Sequence, residues 1–320
     1  MQIGKSSEIT YRRSVLKNIC RKTEGVLQGI DAAAISLEDV TAVMSSNCIF
    51  KWFDGAEDFY VQKTINCLWE KGATAEKMQL IIHLPCEFEE KSLGRMIRNF
   101  NRAAEKRNLA ICQCKVYYGS VESPIANITV IGSTKHHLSC TNIKPGMEVI
   151  MAGTVGIGGT AILARKYKDI LSAKFSNSFV EECLELENFI SVEKAAQIAI
   201  DCEAVSMHNV SDGGIFGAVW ELASCCNMGI TINIPEIPVW QQVVEVTEVL
   251  DANPYLLEGT GAMLIVCTKG DKIVDRLMDA GIPAAVIGVM TGGNDRIAIN
   301  KDETRYLEPP RGDELYKFIS

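Results

Sequence analysis

MAGTVGIGGTAILAR, residues 151–165, and HNVSDGGIFGAVWELA, residues 208–223, share one pattern. In each, an apolar run meets clustered glycines, and an apolar helix-forming stretch follows. The order reads as strand, tight loop, helix. Glycines at such a junction reach positive φ without steric cost and let backbone N–H groups come close to a ligand. The helix behind them offers unpaired donors and the positive end of its dipole, which suits a phosphate or carboxylate. Gly153, Gly156, Gly158 and Gly159 could equally make tight turns and nothing more. Two such junctions in one half read together as an anion site. The second carries His208, Ser211, Asp212, Gly213 and Gly214, with His208 and Asp212 placed to orient a substrate or move a proton. A hydrogen-bonded loop histidine and a helix N-cap are the plainer readings of those two residues.

Around these junctions the second half alternates strands with helices. Strands are expected at Glu148–Ala152, Gly229–Ile234, Ala262–Thr268 and Ala284–Met290. Helices are expected from the first glycine loop to about Lys168, and over Val192–Asp201, Ile215–Cys226, Val239–Leu250 and Lys272–Ala280. Alternation of this kind indicates an α/β layer structure. Lys144-Pro145-Gly146 marks a turn, and the composition becomes glycine-rich after it, so the division falls there: residues 1–144 and 145–320. In the first half, short strands are expected at Ala32–Ile35 and Val40–Met44. The spacing predicts helices over Asp58–Gly72 and Glu89–Asn108, with strands at Met78–Leu84, Ala110–Tyr118 and Ile125–Gly132. Residues 8–24 read as a helix with a basic face.

The chain of 320 residues suits two domains of ordinary size. Hydrophobic content of 47% with 22% charged residues describes a globular protein with ample core. The formal net charge of -8 argues against a broad nucleic-acid surface, which needs clustered Lys and Arg. No apolar run reaches the roughly 18 residues of a membrane span, and the N-terminus lacks the apolar core of a signal peptide, so the expected location is the cytoplasm. The 12 cysteines show no paired CxxC and no accompanying histidine motif. They read as reduced thiols packing as small hydrophobes.

Several motifs, taken in order, resemble the aminoimidazole ribonucleotide synthetase superfamily, a PurM-like fold, and within it the hydrogenase expression/formation (HypE-like) maturation factors. Gly29-Ile30-Asp31-Ala32-Ala33-Ala34 is similar to the family's glycine, two aspartates, two alanines. Asn66-Cys67 before Gly72-Ala73 is similar to its asparagine-aspartate motif. Cys112-Gln113-Cys114-Lys115-Val116 stands where the family has glycine, aspartate, threonine, lysine, valine. Gly153-Thr154-Val155-Gly156 with Gly159 resembles the loop that opens the C-terminal domain. Val210-Ser211-Asp212-Gly213-Gly214 after His208 resembles the corresponding motif of formylglycinamidine synthetases.

The resemblance implies an α/β protein of two domains. An α+β N-terminal half holds a mixed sheet that closes a barrel with a second chain, and a C-terminal α/β sandwich follows. It implies a homodimer, ATP with magnesium in the interdomain cleft, and activation of an amide-like substrate by phosphorylation or dehydration. Asp31 would hold the metal. Asp31, Asn66, Lys115, Gly153, Gly156, Gly158, Gly159, Ser211, Gly213 and Gly214 would hold the nucleotide. This sequence departs from the family pattern at Ile30, Cys67 and Gln113, where carboxylates are expected, at Ile157 and Gly158, and at Ser320, where the maturation factors end in cysteine. Neutral groups supply little to a hard cation. Two readings follow: an ATP-dependent enzyme with altered chemistry, or a non-catalytic dimer that binds a nucleotide or anion as a scaffold or sensor.

Overall fold

The computed structural model describes residues 8–19, 29–119, 121–309 and 312–319. It has two sheets, one from each half of the chain. In the first half a short helix α1 (Glu8–Tyr11) runs into a π-helical turn at Arg12–Leu16. The helix expected over 8–24 therefore stops early, and its residues 20–24 lie outside the described residues. Strands β1 (Ala33–Ser36), β2 (Thr41–Ile49), β3 (Thr74–Leu84), β4 (Ala110–Tyr118) and β5 (Ile125–Thr134) form a sheet in the order β1-β2-β5-β3-β4. Its pairs are antiparallel except β3 with β4, which run parallel. A parallel pair needs a crossover, and helix α3 (Glu90–Glu105) supplies it.

Helix α3 buries Met96, Phe100, Ala103 and Ala104, a helical stripe set four and then three to four residues apart, and turns its charged residues outward. Helix α2 (Ala56–Trp69) is different. Every residue from Phe59 to Trp69 is buried, including Gln62, Lys63, Thr64 and Asn66. It packs against β2 and β5 on one side and reaches strand β7 of the second half on the other. A helix in that position has no solvent face, so each of its polar side chains needs an internal partner.

The second half holds β6 (Glu148–Ala152), β7 (Ser206–Val210), β8 (Gly229–Asn233), β9 (Ala262–Cys267), β10 (Ala284–Thr291), β11 (Arg296–Asn300) and β12 (Glu303–Tyr306), ordered β12-β11-β8-β10-β6-β9-β7. All its pairs are antiparallel except β8 with β11. Helices α4 (Ile157–Lys166), α5 (Lys168–Ser172), α6 (Asn177–Glu185), α7 (Glu193–Asp201), α8 (Gly214–Cys226), α9 (Gln241–Leu250) and α10 (Asp271–Asp279) connect the strands. β7 and β9 are buried at every position; β9 accordingly runs apolar without alternation, whereas β7 buries the polar Ser206, His208 and Asn209. Among the described residues no helix is long and apolar enough to cross a membrane.

The fold class is mixed α/β, as the alternation indicated, with strand ends moved by a few residues. Elements without a sequence expectation include α5, α6, the hairpin β11–β12 and a 3-10 turn at Glu314–Lys317. The hairpin lies at the sheet edge, and β12 is exposed at all four positions, so it carries no apolar signal. The tail around the 3-10 turn buries Leu315 and Ile319 against the core.

Candidate functional site

A cavity of about 260 Å³ opens where the two halves meet. Asp31, the Ser45–Cys48 stretch of β2, and Tyr60, Lys63 and Cys67 of α2 line it from the first half. Ser211 and Asp212, from the loop between β7 and α8, line it from the second, and Tyr316 of the tail closes it, stacked on Phe50 at 5.6 Å. Ligand pockets usually span about 300–1,000 Å³, so with Tyr316 in place the space is small.

Lys63 is the centre of the cavity floor. Its side chain is 2% exposed, and Nζ lies 2.7 Å from Asp212 Oδ2 and 2.5 Å from Glu258 Oε2. Burial opposes its charge, but the two carboxylates outweigh burial and hold the ammonium well above the usual lysine range. Glu258 accepts further bonds from the N–H and hydroxyl of Thr260. Even so, burial first, and the Asp212 charge as well, push its carboxyl up. Tyr316 donates from its hydroxyl to Asp212 Oδ1 at 3.3 Å.

The head of α8 is occupied by the chain itself. Asp313 accepts the Gly213 N–H at 2.6 Å, the Glu258 N–H at 3.1 Å and the Leu315 N–H at 2.7 Å. The first α8 turn thus receives an acidic group, where the glycine junction led one to expect an anion, but the group is an internal carboxyl. Burial, with Glu258 and Asp212 nearby, raises the Asp313 carboxyl well above the ordinary range despite those donors.

Beyond Asp31 lies a second charged cluster. One carboxylate oxygen each of Asp31 and Glu221 and one ring nitrogen of His208 all lie within 4.8 Å of one another. His208 Nε2 is 3.3 Å from Glu221 Oε2, and Nδ1 is 3.6 Å from Glu70 Oε2. Burial disfavours the imidazolium, yet the carboxylates of Glu221 and Glu70 outweigh it and raise the pKa of His208. Gly29 explains how Asp31 gets there. It has φ +73°, and a Cβ at this position would overlap the Glu221 carbonyl, so a glycine brings the segment against α8.

The residues singled out from the sequence fall into three places. Asp31, Ser211 and Asp212 line the cavity, and His208 lies behind Asp31. Gly213 and Gly214 form the α8 head, where the Gly213 N–H goes to Asp313 and the Gly214 N–H to Ser211 O. Asn66 is a structural tie. Its amide donates to Ile190 O at 2.7 Å and its oxygen accepts the Val192 N–H at 3.3 Å. Gly153, Gly156, Gly158 and Gly159 do not line the cavity. The Gly153 N–H goes to Pro283 O and the Gly159 N–H to Glu258 O. A Cβ at Gly159 would come within 2.5 Å of Leu257 Cγ, so that glycine serves close packing. Lys115 and Gln113 stand on β4 at the far edge of the first sheet, opposite Ile81 and Gln79.

Lys63, Glu70, Glu258, Asp313 and Tyr316 were missed. Lys63 and Glu70 carry no local signal, because the sequence of α2 mixes polar with apolar residues and only burial on all sides makes those charges need partners. Glu258 sits in an apolar, glycine-flanked run, where a charge requires a partner. Nothing local marks Asp313 or Tyr316.

Magnesium, which the resemblance implies, takes carboxylate and other hard oxygen ligands. In this cavity Asp212 and Glu258 already hold an ammonium, and Cys67 offers a thiol that burial keeps strongly protonated. This donor set does not fit a magnesium cage.

Residues 144–300 match the family described as AIR synthase related protein, C-terminal domain. A putative hydrogenase expression/formation protein of Methanocaldococcus jannaschii is 25% identical over 267 residues, covering 80% of this chain and 76% of that protein. Among solved structures, one of a HypE-HypF complex superposes with TM-score 0.74 at 16% identity, over 94% of this chain and 99% of the other. The hydrogenase maturation protein HypE, solved in complex with ATP, superposes with TM-score 0.65 at 18% identity, over 96% of each chain.

Proposed function

For a chain that belongs to the AIR synthase-related, PurM-like superfamily, we propose binding of an ATP-class phosphate ligand in the cavity between α2 and the Ser211–Gly214 loop, in exchange for the Asp313 carboxylate. The observation that carries this reading is Asp313 itself. A carboxylate on the N–H groups of Gly213 and Glu258 marks a place built for an anion, and a phosphate has the same needs. The likeness to a HypE structure solved with ATP supports the same ligand class. Lys63 supplies the fixed positive charge of the floor, so ligand binding on this reading does not require magnesium.

A second reading is an ATP-dependent enzyme that phosphorylates or dehydrates an amide-like substrate. Its support is the likeness to hydrogenase formation proteins. Calorimetric titration with ATP, with and without magnesium, while phosphate release is followed, separates the two. Binding indifferent to magnesium and without hydrolysis supports the first reading, and magnesium-dependent binding with turnover supports the second. Asp313→Ala should tighten ATP binding several-fold by vacating the α8 head. If neither the full chain nor this variant binds ATP or inorganic phosphate, the ligand reading fails.

The division of the chain at residues 144 and 145 belongs with this reading, as does pairing of two chains through the open face of the first sheet. That face, opposite α2 and α3, exposes Ile35, Met44, Ile131 and Tyr117, with Met44 and Ile131 directly paired. Lys115 stands on it too. Exposed apolar side chains set together on one sheet face suit a contact with a second copy. Light scattering of Ile131→Glu against the parent protein tests it: a dimer should become a monomer.

A further inference from the structure

The cluster of Asp31, His208 and Glu221 is not used by the phosphate reading, and its donor chemistry differs from that of the cavity floor. Where Lys63 answers the carboxylates of the floor, this cluster gathers Asp31, Glu221 and Glu70 around one imidazole and the Lys71 ammonium, 3.5 Å from Glu70. We infer that Asp31, His208 and Glu221 form a binding site for a divalent d-block cation of the manganese, zinc or cobalt class.

Three features on the page carry this. The first is spacing. Nitrogen and oxygen ligands sit about 2.0–2.2 Å from such an ion, which puts neighbouring donors of a tetrahedral site about 3.4 Å apart. His208 Nε2 and Glu221 Oε2 are 3.3 Å apart, and all three donors lie within 4.8 Å of one another.

The second is the outer partner. A histidine that ligates through one nitrogen almost always directs the other to a carboxylate or carbonyl, which fixes its ring and raises its basicity. His208 Nδ1 faces Glu70 Oε2 at 3.6 Å. Glu70 is completely buried, its Oε2 accepts the Asn209 N–H at 3.4 Å, and its Oε1 has no hydrogen bond. Its positive neighbours are the His208 ring and Lys71 Nζ, 3.5 Å from Oε1, so Glu70 is held in place behind the imidazole as an outer partner.

The third is access and rigidity. Asp31 also lines the cavity, which gives an ion a way in. His208 and Glu221 stand on the regular elements β7 and α8, and Gly29 presses the Asp31 segment onto α8. One imidazole with two carboxylates suits ions that accept nitrogen and oxygen together, and it is a poorer match for magnesium or calcium.

The site stands apart from the ligand reading, and its test uses no nucleotide. The protein is stripped with chelator, kept reduced and titrated with cobalt(II) under absorption spectroscopy, with manganese(II) binding followed by electron paramagnetic resonance. Cobalt distinguishes this site from capture by the cysteines, because thiolate ligands add intense near-ultraviolet bands that nitrogen and oxygen ligands lack. The expected result is one ion per chain at micromolar or tighter affinity, without thiolate bands. Asp31→Asn and Glu221→Gln should each weaken it at least tenfold. Glu70→Gln should weaken it about 10–100-fold, the usual effect of removing an outer carboxylate. His208→Gln should abolish it. Circular dichroism confirms folding of each variant, and Glu221→Gln keeps the test decisive if the buried His208 variant fails to fold. Absence of binding to the parent protein, thiolate bands alone, or binding indifferent to Glu221→Gln and Asp31→Asn would overturn the assignment.

Discussion

Two charged clusters meet at the junction of the halves and solve the same problem differently. On one side Asp212 and Glu258, with Asp313 beside them, are answered by Lys63, whose ammonium is covalently part of the chain. On the other, Asp31, Glu221 and Glu70 gather around His208, whose charge depends on its protonation. The first cluster carries its own permanent cation and is closed to metal. The second has a lysine too, Lys71, but set against Glu70, while Asp31 and Glu221 gather at the imidazole. Burying several carboxylates forces a choice of counter-ion, and the fold makes opposite choices within a few residues of one loop.

The largest effect should come from removing the built-in cation. Lys63→Met keeps the volume but leaves the buried Glu258 and the half-buried Asp212 without their partner, at a cost of about 3–5 kcal/mol. Urea unfolding should show this as a lowered midpoint. A midpoint unchanged by the substitution would mean that the carboxylates protonate freely and that the comparison is empty.

The same variant sharpens the contrast. With Lys63 gone, the Asp212–Glu258–Asp313 group resembles an open cation site, and millimolar magnesium or manganese should restore part of the loss. An ion at 100 times its dissociation constant restores about 2.7 kcal/mol. No rescue would show that the geometry, and not only the ammonium, excludes metal.

On the second cluster, Gly29→Ala should cost about 1–3 kcal/mol, because it strains a positive φ and collides with the Glu221 carbonyl. It should also displace Asp31, so cobalt(II) affinity should fall together with thermal stability. A loss of stability with intact affinity would separate Asp31 from the cluster.

A smaller effect is the pH slope of the first cluster. The folded-state pKa of Asp313 is raised, so its contribution is full below the unfolded value of about 3.9 and is lost as pH rises through the folded value. Stability from this group therefore falls across the weakly acid range. Asp313→Asn should reduce that fall in urea midpoints taken from pH 4 upward, with Glu258, also raised, supplying the remainder. A slope unchanged by the substitution would place the titration elsewhere.

The smallest effect belongs to an exposed pair kept as a control. Arg165 pairs with Glu187, whose side chain is 50% exposed, and Glu187→Gln should change stability by less than about 1 kcal/mol.

The elements were legible wherever a segment has one face to bury. α3 shows its stripe at Met96, Phe100, Ala103 and Ala104, while β6, buried on both faces, was legible as a short apolar run at its observed limits, Glu148–Ala152. Helix α2 was legible as a helix, but the meaning of its polar residues was not. Lys63 and Asn66 read as ordinary helix positions until Glu258 and Ile190, far along the chain, supply their partners. The glycines were legible as glycines that matter, yet for different reasons at each junction. Gly159 yields to Leu257, whereas Gly213 presents its N–H to an anion. A local pattern cannot separate close packing from ligand approach, because both ask for a missing Cβ.

By itself the sequence determined that this chain alternates strands and helices into a mixed α/β fold, because hydrophobic period, turn residues and glycine junctions are local properties. It also fixed the candidate loop at Ser211–Gly214 and the candidate carboxylate Asp31. Only the tertiary structure decided which charges meet. It set Lys63 between Asp212 and Glu258, placed Asp313 on the head of α8 and gathered three carboxylates about His208. Those pairings join residues as much as 195 positions apart. Coulomb energy depends on distance in space and on the medium between charges, and the order of residues along a chain states neither.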